Sequence, residues 1–312
     1  MFQVRIMISR MKLRFSNLSR KIKTVLFLLP MFIFCLILFL TPAGQKAGYL
    51  VSGHRAVYQN LSVLLNNDPL KVHIIEVGQG DASLIQYEGL NILIDTGPPA
   101  AAMDLTGYLK ALGIRRLDLL ILTHPHDDHT GGAPVLLQSF RIGTLLIPHD
   151  LKDDPFSLEA LQRAEQAGTE VVWSLKGLRF ELERFSAECL HPELISYDDI
   201  NDYSSIWSFQ LGASSLLFLG DLSLEAAKGL DLGQHAFLRS GHHGSVTSTS
   251  RELLARVKPR LVAISCGRDN SFGHPSKEVL QLLDDLDIPF LRTDESGTSV
   301  ISTDGRTLRR VH

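Results

Sequence analysis

Cysteine is scarce in this chain: three in 312 residues, at Cys35, Cys189 and Cys266. Cys35 lies in an apolar run, and the two remaining thiols are too few for a disulfide framework in a large domain. Cys189 and Cys266 each sit in an apolar, strand-like setting, which predicts buried free thiols. No segment is of low complexity, and no motif recurs at solenoid or propeller spacing, which excludes an array. Aromatic residues make up only 7% of the chain and form no repeat of the kind that grips a surface polymer. The first 24 residues contain no acidic side chain but carry Arg5, Arg10, Lys12, Arg14, Arg20, Lys21 and Lys23. Setting those aside leaves 24 basic against 34 acidic residues, a net of −10 for residues 25–312. Nucleic-acid affinity rests largely on neutralised phosphates, so this composition is not that of a general polyanion binder.

What is present begins with "VLFLLPMFIFCLILFL", residues 25–40, which holds no charge. A basic segment (1–24) followed by an apolar run is the pattern of a signal peptide or signal anchor. The long basic segment and the weak cleavage signal in "LTPAG" predict an uncleaved transmembrane anchor over 25–43. A cleaved leader and a secreted domain are the alternative. The positive-inside bias places the basic segment in the cytoplasm and the rest of the chain outside it. Residues 44–69 read as a linker ending in "NNDP", and 70–312 as the main domain. With 45% of the chain apolar, there is enough to bury a real core.

From Leu70 onward, strand and helix patterns alternate. "KVHIIEVGQGDASLIQYEGLNILIDTG" predicts three short strands broken at Gly78–Gly80 and Glu88–Gly89. A helix over 104–112 stops at Gly113. "LDLLILT" is an apolar strand, "APVLLQSF" a helix, "TLLIP" a strand and "SLEALQRAEQAG" a helix closed by Gly168. "TEVVW", "LRFELERF" and "ECLHP" read as strands, and "IWSFQLGASSLLFLGD" as a hairpin around Gly212. Then come helix 223–230, strand "HAFLRSG", helix 249–257, strand "RLVAIS", helix 276–286 and short strands from Pro289 to Leu308. Mixed sheets with helices between them predict an α/β protein with sheets sandwiched by helices.

The chemistry is concentrated at strand ends. In "LDLLILTHPHDDHTGG", His124, His126, Asp128 and His129 follow a buried strand. Imidazole and carboxylate together suit zinc, manganese or iron rather than calcium or magnesium. His124 and His126 could take one metal, and Asp128 and His129 a second about 3.5–4 Å away. Asp221 in "LLFLGDL" could bridge two metals, or could instead cap helix 223–230. His242 and His243 in "LRSGHHGS" are adjacent and so point apart, leaving one for metal and one for substrate. His191 in "ECLHP" and His274 in "SFGHPS" are single histidines at comparable places. Asp95 in "LIDTG" could orient a ligand histidine, or serve as a turn aspartate.

Taken together, these motifs resemble the metallo-β-lactamase fold. The ordered set "EVGQGDASLI", "LIDTG", "LTHPHDDHTGG", "LLFLGDL", "GHHGSVTST", "AISCGRDNSFGHPS" and "RTDESGT" is similar to the metallo-β-lactamase-like domain of ComEC-type competence proteins. The resemblance runs from about Leu70 to Ile301. It implies an αββα sandwich, two divalent metal ions (zinc or manganese), no organic cofactor, and hydrolysis of a phosphodiester, with DNA as one candidate. It makes His124, His126 and His191 ligands of a first metal, Asp128 and His129 ligands of a second, and Asp221 the bridge. His243 is then the expected late ligand, with His274 as an alternative. Asp128 would orient the attacking water, and His242 or His274 would protonate the leaving oxygen. ComEC-type proteins also carry a many-helix channel domain, whereas this sequence offers at most one span. Two other functions stay open: hydrolysis of a surface phosphodiester such as a phosphorylcholine ester, and a non-catalytic role in a membrane DNA-handling complex.

Overall fold

The structure, a computed structural model, describes residues 66–312. The basic segment 1–24, the apolar run 25–43 and most of the linker 44–69 lie outside the described residues. Among the described residues, no helix is long and apolar enough to cross a membrane.

The first half of the domain supplies β1 (Leu70–Ile74), β2 (Ser83–Tyr87), β3 (Leu90–Ile94), β4 (Arg116–Ile121), β5 (Arg141–Ile147) and β6 (Glu170–Trp173). The second half supplies β7 (Arg179–Leu182), β8 (Phe185–His191), β9 (Ile206–Leu211), β10 (Ser214–Phe218), β11 (Phe237–Arg239), β12 (Leu261–Ile264) and β13 (Phe290–Arg292). The chain then returns with β14 (Ser299–Thr303) and β15 (Leu308–Arg310). One sheet of eight strands runs β15-β14-β1-β2-β3-β4-β5-β6, and a second of seven runs β13-β12-β11-β10-β9-β8-β7. β3 to β6 are mutually parallel, as are β10 to β13.

Strands buried on both faces explain the continuous apolar runs of the sequence. In β4, Leu119 and Ile121 join the core between the sheets, together with Val72, Trp207, Phe209 and Phe218. Leu120 and Leu122 turn the other way, against Leu105, Leu109, Leu136 and Ala160 of the helices Ala102–Ala111, Ala133–Ser139 and Pro155–Ala167. On the far side, Leu217, Leu238 and Val262 pack under the helices Leu224–Ala227, Arg251–Val257 and Lys277–Asp285. Each buried leucine or isoleucine contributes roughly 1.5–3 kcal/mol. The layering is helix, sheet, sheet, helix, as expected. Cys189 and Cys266 are buried and free.

Two local expectations need correction. "LRFELERF" is not one strand: the chain turns at Glu183, which takes a left-handed φ of 43°, and separates β7 from β8 of an antiparallel pair. The expected helix 223–230 is a single turn, Leu224–Ala227, and its cap is Ser223, whose side chain accepts from the Ala226 amide. Asp221 is therefore released from the capping role.

Candidate metal centre

Every candidate ligand except His274, which lies ten residues past β12 and joins no ligand group, stands at or just past the carboxyl end of a strand. Asp95 follows β3, His124 to His129 follow β4, His191 ends β8, Asp221 follows β10, and His242 and His243 follow β11. Parallel strands place all these loops along one edge of the sandwich, where α/β folds form their ligand crevices.

His129 is the best-fixed of them. Its Nδ1 donates to Asp95 Oδ2 at 2.8 Å. Asp95 is itself held by the Thr123 backbone amide at 2.8 Å and the Thr123 hydroxyl at 2.7 Å. A proton on Nδ1 leaves Nε2 with a bare lone pair. That Nε2 is buried and has no hydrogen-bond partner, yet Asp221 Oδ2 lies 3.3 Å away. His243 is arranged the same way. Its Nδ1 donates to the Ser265 carbonyl at 2.9 Å, which turns Nε2 towards Asp128 Oδ2 at 3.0 Å and Asp221 Oδ2 at 3.5 Å. Ring nitrogens and carboxylate oxygens this close need a proton or a cation between them.

Candidate ligand atoms gather in three groups that share His129, each with all its atoms within 4.8 Å of one another: His124–His129–Asp221, Asp128–His129–His243 and, on the Asp95 side of the ring, Asp81–Asp95–His129. Asp221 Oδ2 is also 4.0 Å from His124 Nε2. His126 joins at the edge, its Nδ1 3.0 Å from His124 Nε2. Mixed nitrogen and oxygen donors with fixed tautomers fit a divalent transition metal or zinc. The orphaned Nε2 of His129 is the atom such an ion would satisfy.

The field of the cluster is consistent with this. Burial alone would lower the His129 imidazolium, but the Asp221, Asp95 and Asp128 carboxylates outweigh it and raise it well above its ordinary value. Burial opposes ionisation of Asp221 and Asp128 too, but the neighbouring His129 and His243 imidazoles hold both below the usual carboxylate range. Burial lowers His124, His242 and His274.

A cavity of about 460 Å³ opens over the cluster. Asp128, Asp221 and His243 form its floor, and His242, His274 and Phe272 line it. The His242 and His243 rings do point apart, with centroids 6.1 Å apart and planes at 69°. Both residues take left-handed φ, 47° and 51°, a conformation that costs energy in non-glycine residues and clusters at functional sites. The His242 ring meets His274 edge to face at 5.5 Å. His191 belongs to none of these groups: its Nε2 donates to the Asp202 carbonyl at 2.8 Å. A larger cavity, about 800 Å³ and lined by Arg115, Arg116 and Arg141, lies at the opposite, amino ends of β4 and β5 and holds none of these ligands.

Sequence reasoning passed over three residues of the site. Asp81 lies within 4.8 Å of Asp95 and His129. Arg239 is fully buried beside it. Phe272 stands 68% exposed at the cavity mouth. The signal for Arg239 was available: a charge inside the apolar "HAFLRSG" needs a buried partner. Nothing in the sequence shows that the partner is Asp81, in the loop between β1 and β2 of the other sheet.

Comparison with known proteins agrees with the geometry. Residues 75–268 match the family described as Metallo-beta-lactamase superfamily. "ComE operon protein 3" of Bacillus subtilis is 31% identical over 253 residues, covering 73% of this chain and 32% of that protein. "Recombination protein 2" of Haemophilus influenzae is 33% identical over 226 residues, covering 70% of this chain and 27% of that protein. The chain thus spans about a third or less of the length of these curated relatives. Among solved structures, CmlA, a diiron beta-hydroxylase from Streptomyces venezuelae, superposes with a TM-score of 0.53 at 16% identity, covering 76% of this chain and 55% of that one.

Proposed function

The chain belongs to the metallo-beta-lactamase superfamily, and on that premise we propose that it is a metal-dependent phosphodiesterase acting on nucleic acid. The observation that carries the metal reading is the meeting of two ligand groups at His129, whose buried Nε2 has no partner and lies 3.3 Å from Asp221 Oδ2. His124, His129 and Asp221 would hold one cation, with His126 at its edge, and Asp128, His129 and His243 mark out the place of a second. Divalent ions bound there supply an activated water and withdraw charge from phosphoryl oxygens.

The chain's own residues then do the rest. Asp128, whose Oδ2 lies 3.0 Å from His243 Nε2 and which is open to the cavity, orients the attacking water. His242 presents Nε2 to the cavity, while its Nδ1 lies 3.2 Å from the Thr247 hydroxyl, so it can pass a proton to the leaving oxygen. His274 buttresses it. For the substrate, the support is twofold: two relatives are named for recombination and competence, recombination protein 2 of Haemophilus influenzae and competence protein ComA of Neisseria gonorrhoeae, and Phe272 offers an exposed aromatic face on which a base can stack. The net charge of −10 for residues 25–312 favours the second reading, a small or surface-bound phosphodiester. We further propose that residues 25–43 anchor the chain and place the site outside the cytoplasm.

The test uses the full chain in detergent, stripped of metal and restored with Mn²⁺ or Zn²⁺. Single-stranded DNA, double-stranded DNA and bis-p-nitrophenyl phosphate are assayed in parallel. Metal-dependent DNA cleavage that disappears in Asp221→Asn is the expected result. Cleavage of the small diester with DNA untouched would move the substrate to surface phosphodiesters. An Asp221→Asn protein with full rate and metal content would refute the site.

A further inference from the structure

The loop Gly78–Asp81 contributes no ligand to the groups His124–His129–Asp221 and Asp128–His129–His243, yet it is wedged between the elements that do. The Asp81 amide donates to the Asp128 carbonyl at 3.0 Å, and the Asp81 carbonyl accepts from Gly97 at 2.8 Å, in the loop that follows Asp95. A side chain on Gly80 would meet the Asp128 carbonyl at 2.5 Å. On its other flank, Gln79 Oε1 accepts from the Gly267 amide at 3.0 Å, and a side chain on Gly267 would meet the Gln79 nitrogen at 2.6 Å. The wedge has no slack.

From its base, the Asp81 carboxylate reaches across to the second sheet. Its Oδ2 lies 2.5 Å from Nη2 of Arg239. Asp81 is 3% exposed and Arg239 0%. Arg239 ends β11, three residues before His242, and its guanidinium also donates to the Ser240 carbonyl. The pair is incompletely satisfied: Asp81 Oδ1 and Arg239 Nε have no hydrogen-bond partner, and Arg239 Nη2 meets Asp81 as an ion pair without hydrogen-bond geometry. A buried ion pair with unused donors and acceptors is a poor stabiliser compared with apolar side chains of the same size. Its placement suggests another use. One end adjoins Asp95 and His129 and the Asp128 backbone; the other is the strand that delivers His243.

We propose that Asp81 and Arg239 form a buried strut that sets the spacing of the cation ligands across the two sheets, making them positioning residues of the metal centre. This rests on the reading that the cluster binds divalent cations. Without the strut, the two sheets would keep their core, but Asp128 and His129 would no longer be held in register with Asp221 and His243. Outer partners of ligands typically tune metal affinity by about 10–100-fold.

The test is made on the full chain in detergent, comparing wild type, Arg239→Lys and the double variant Asp81→Asn/Arg239→Gln. The double variant removes both charges at once, so no unpaired charge stays buried. Mn²⁺ and Zn²⁺ affinities are measured by titration calorimetry on protein whose cooperative melting shows it folded. The Co²⁺ visible spectrum reports ligand geometry. We expect the double variant to fold, to bind cation at least about tenfold more weakly and to show an altered Co²⁺ spectrum. Arg239→Lys, which keeps the charge, should recover most of the affinity. Wild-type affinity and spectrum in a folded double variant, whatever its melting temperature, would reduce the pair to a structural contact and overturn the proposal. Absence of cation binding by wild type would instead sink the metal reading on which it rests.

Discussion

His73 shows how one buried side chain ties stability to pH. It sits on β1 with no exposed surface. The Tyr108 hydroxyl donates to its Nδ1 at 2.7 Å, and its Nε2 donates to Gln86 Oε1 at 3.2 Å. Both bonds suit the neutral ring. Burial pushes its pKa down to about 3, with the Lys71 charge adding to the effect and the Gln86 bond opposing it. The unfolded chain titrates near 6.5 and so binds a proton that the folded chain refuses. The contribution of the neutral ring is complete above pH 6.5 and is lost as pH falls from there towards 3, at about 1.4 kcal/mol per pH unit. His73→Gln keeps a donor and an acceptor but cannot titrate. Urea denaturation at a series of pH values should show wild type losing stability relative to His73→Gln by about 2 kcal/mol between pH 6.5 and 5. A pH-independent difference would show that His73 is not held neutral. The sequence could not announce this residue, because "KVHIIEV" places it in a strand without saying which face is sealed by Tyr108.

At the scale of elements, legibility followed how strongly local chemistry marks a boundary. The loop after β4 was readable because four chelating groups after a buried strand have few other uses. The β7–β8 turn was not, because "LRFELERF" marks it only by two successive charged residues, Glu183 and Arg184, where the alternation breaks, and offers no glycine, proline or asparagine. The Asp221 cap and bridge readings could be separated only by geometry, which gave the cap to Ser223. Another cap joins structure to site. Asp154 Oδ2 accepts from the Ser157 amide at 2.7 Å, capping the helix Pro155–Ala167, and from the Thr130 hydroxyl at 2.9 Å, next to His129. Loss of a cap of this kind costs about 0.5–2 kcal/mol, and the stranded Thr130 hydroxyl adds to it. Asp154→Ala should therefore destabilise the chain by about 1–3 kcal/mol in urea titrations, and Asp154→Asn by clearly less. Equal losses in the two variants would mean that the charge, not the cap geometry, is what matters.

At the scale of the whole molecule, the ligands are divided between the sheets. Asp95, His124, His126, Asp128 and His129 leave the first sheet, while Asp221, His242 and His243 leave the second. No reading of the sequence alone assigns strands to sheets, so this division appears only in the fold. It has a thermodynamic consequence. A cation held by His129 and Asp221 is a cross-link between the two halves of the sandwich, and it neutralises carboxylates that otherwise face one another away from water. Because the unfolded chain offers no assembled site, cation binding must add to folding stability. At a free concentration one hundred times Kd, the gain is about 2.7 kcal/mol per site. For a domain of this size that corresponds to a rise in Tm of about 5–10 °C. Thermal scans of the full chain with Mn²⁺ or Zn²⁺, and again with excess chelator, should differ by about that amount. Asp221→Asn should erase most of the difference while keeping a cooperative transition. A chelator that leaves Tm unchanged would mean that the cluster does not bind the cation, whatever its geometry suggests.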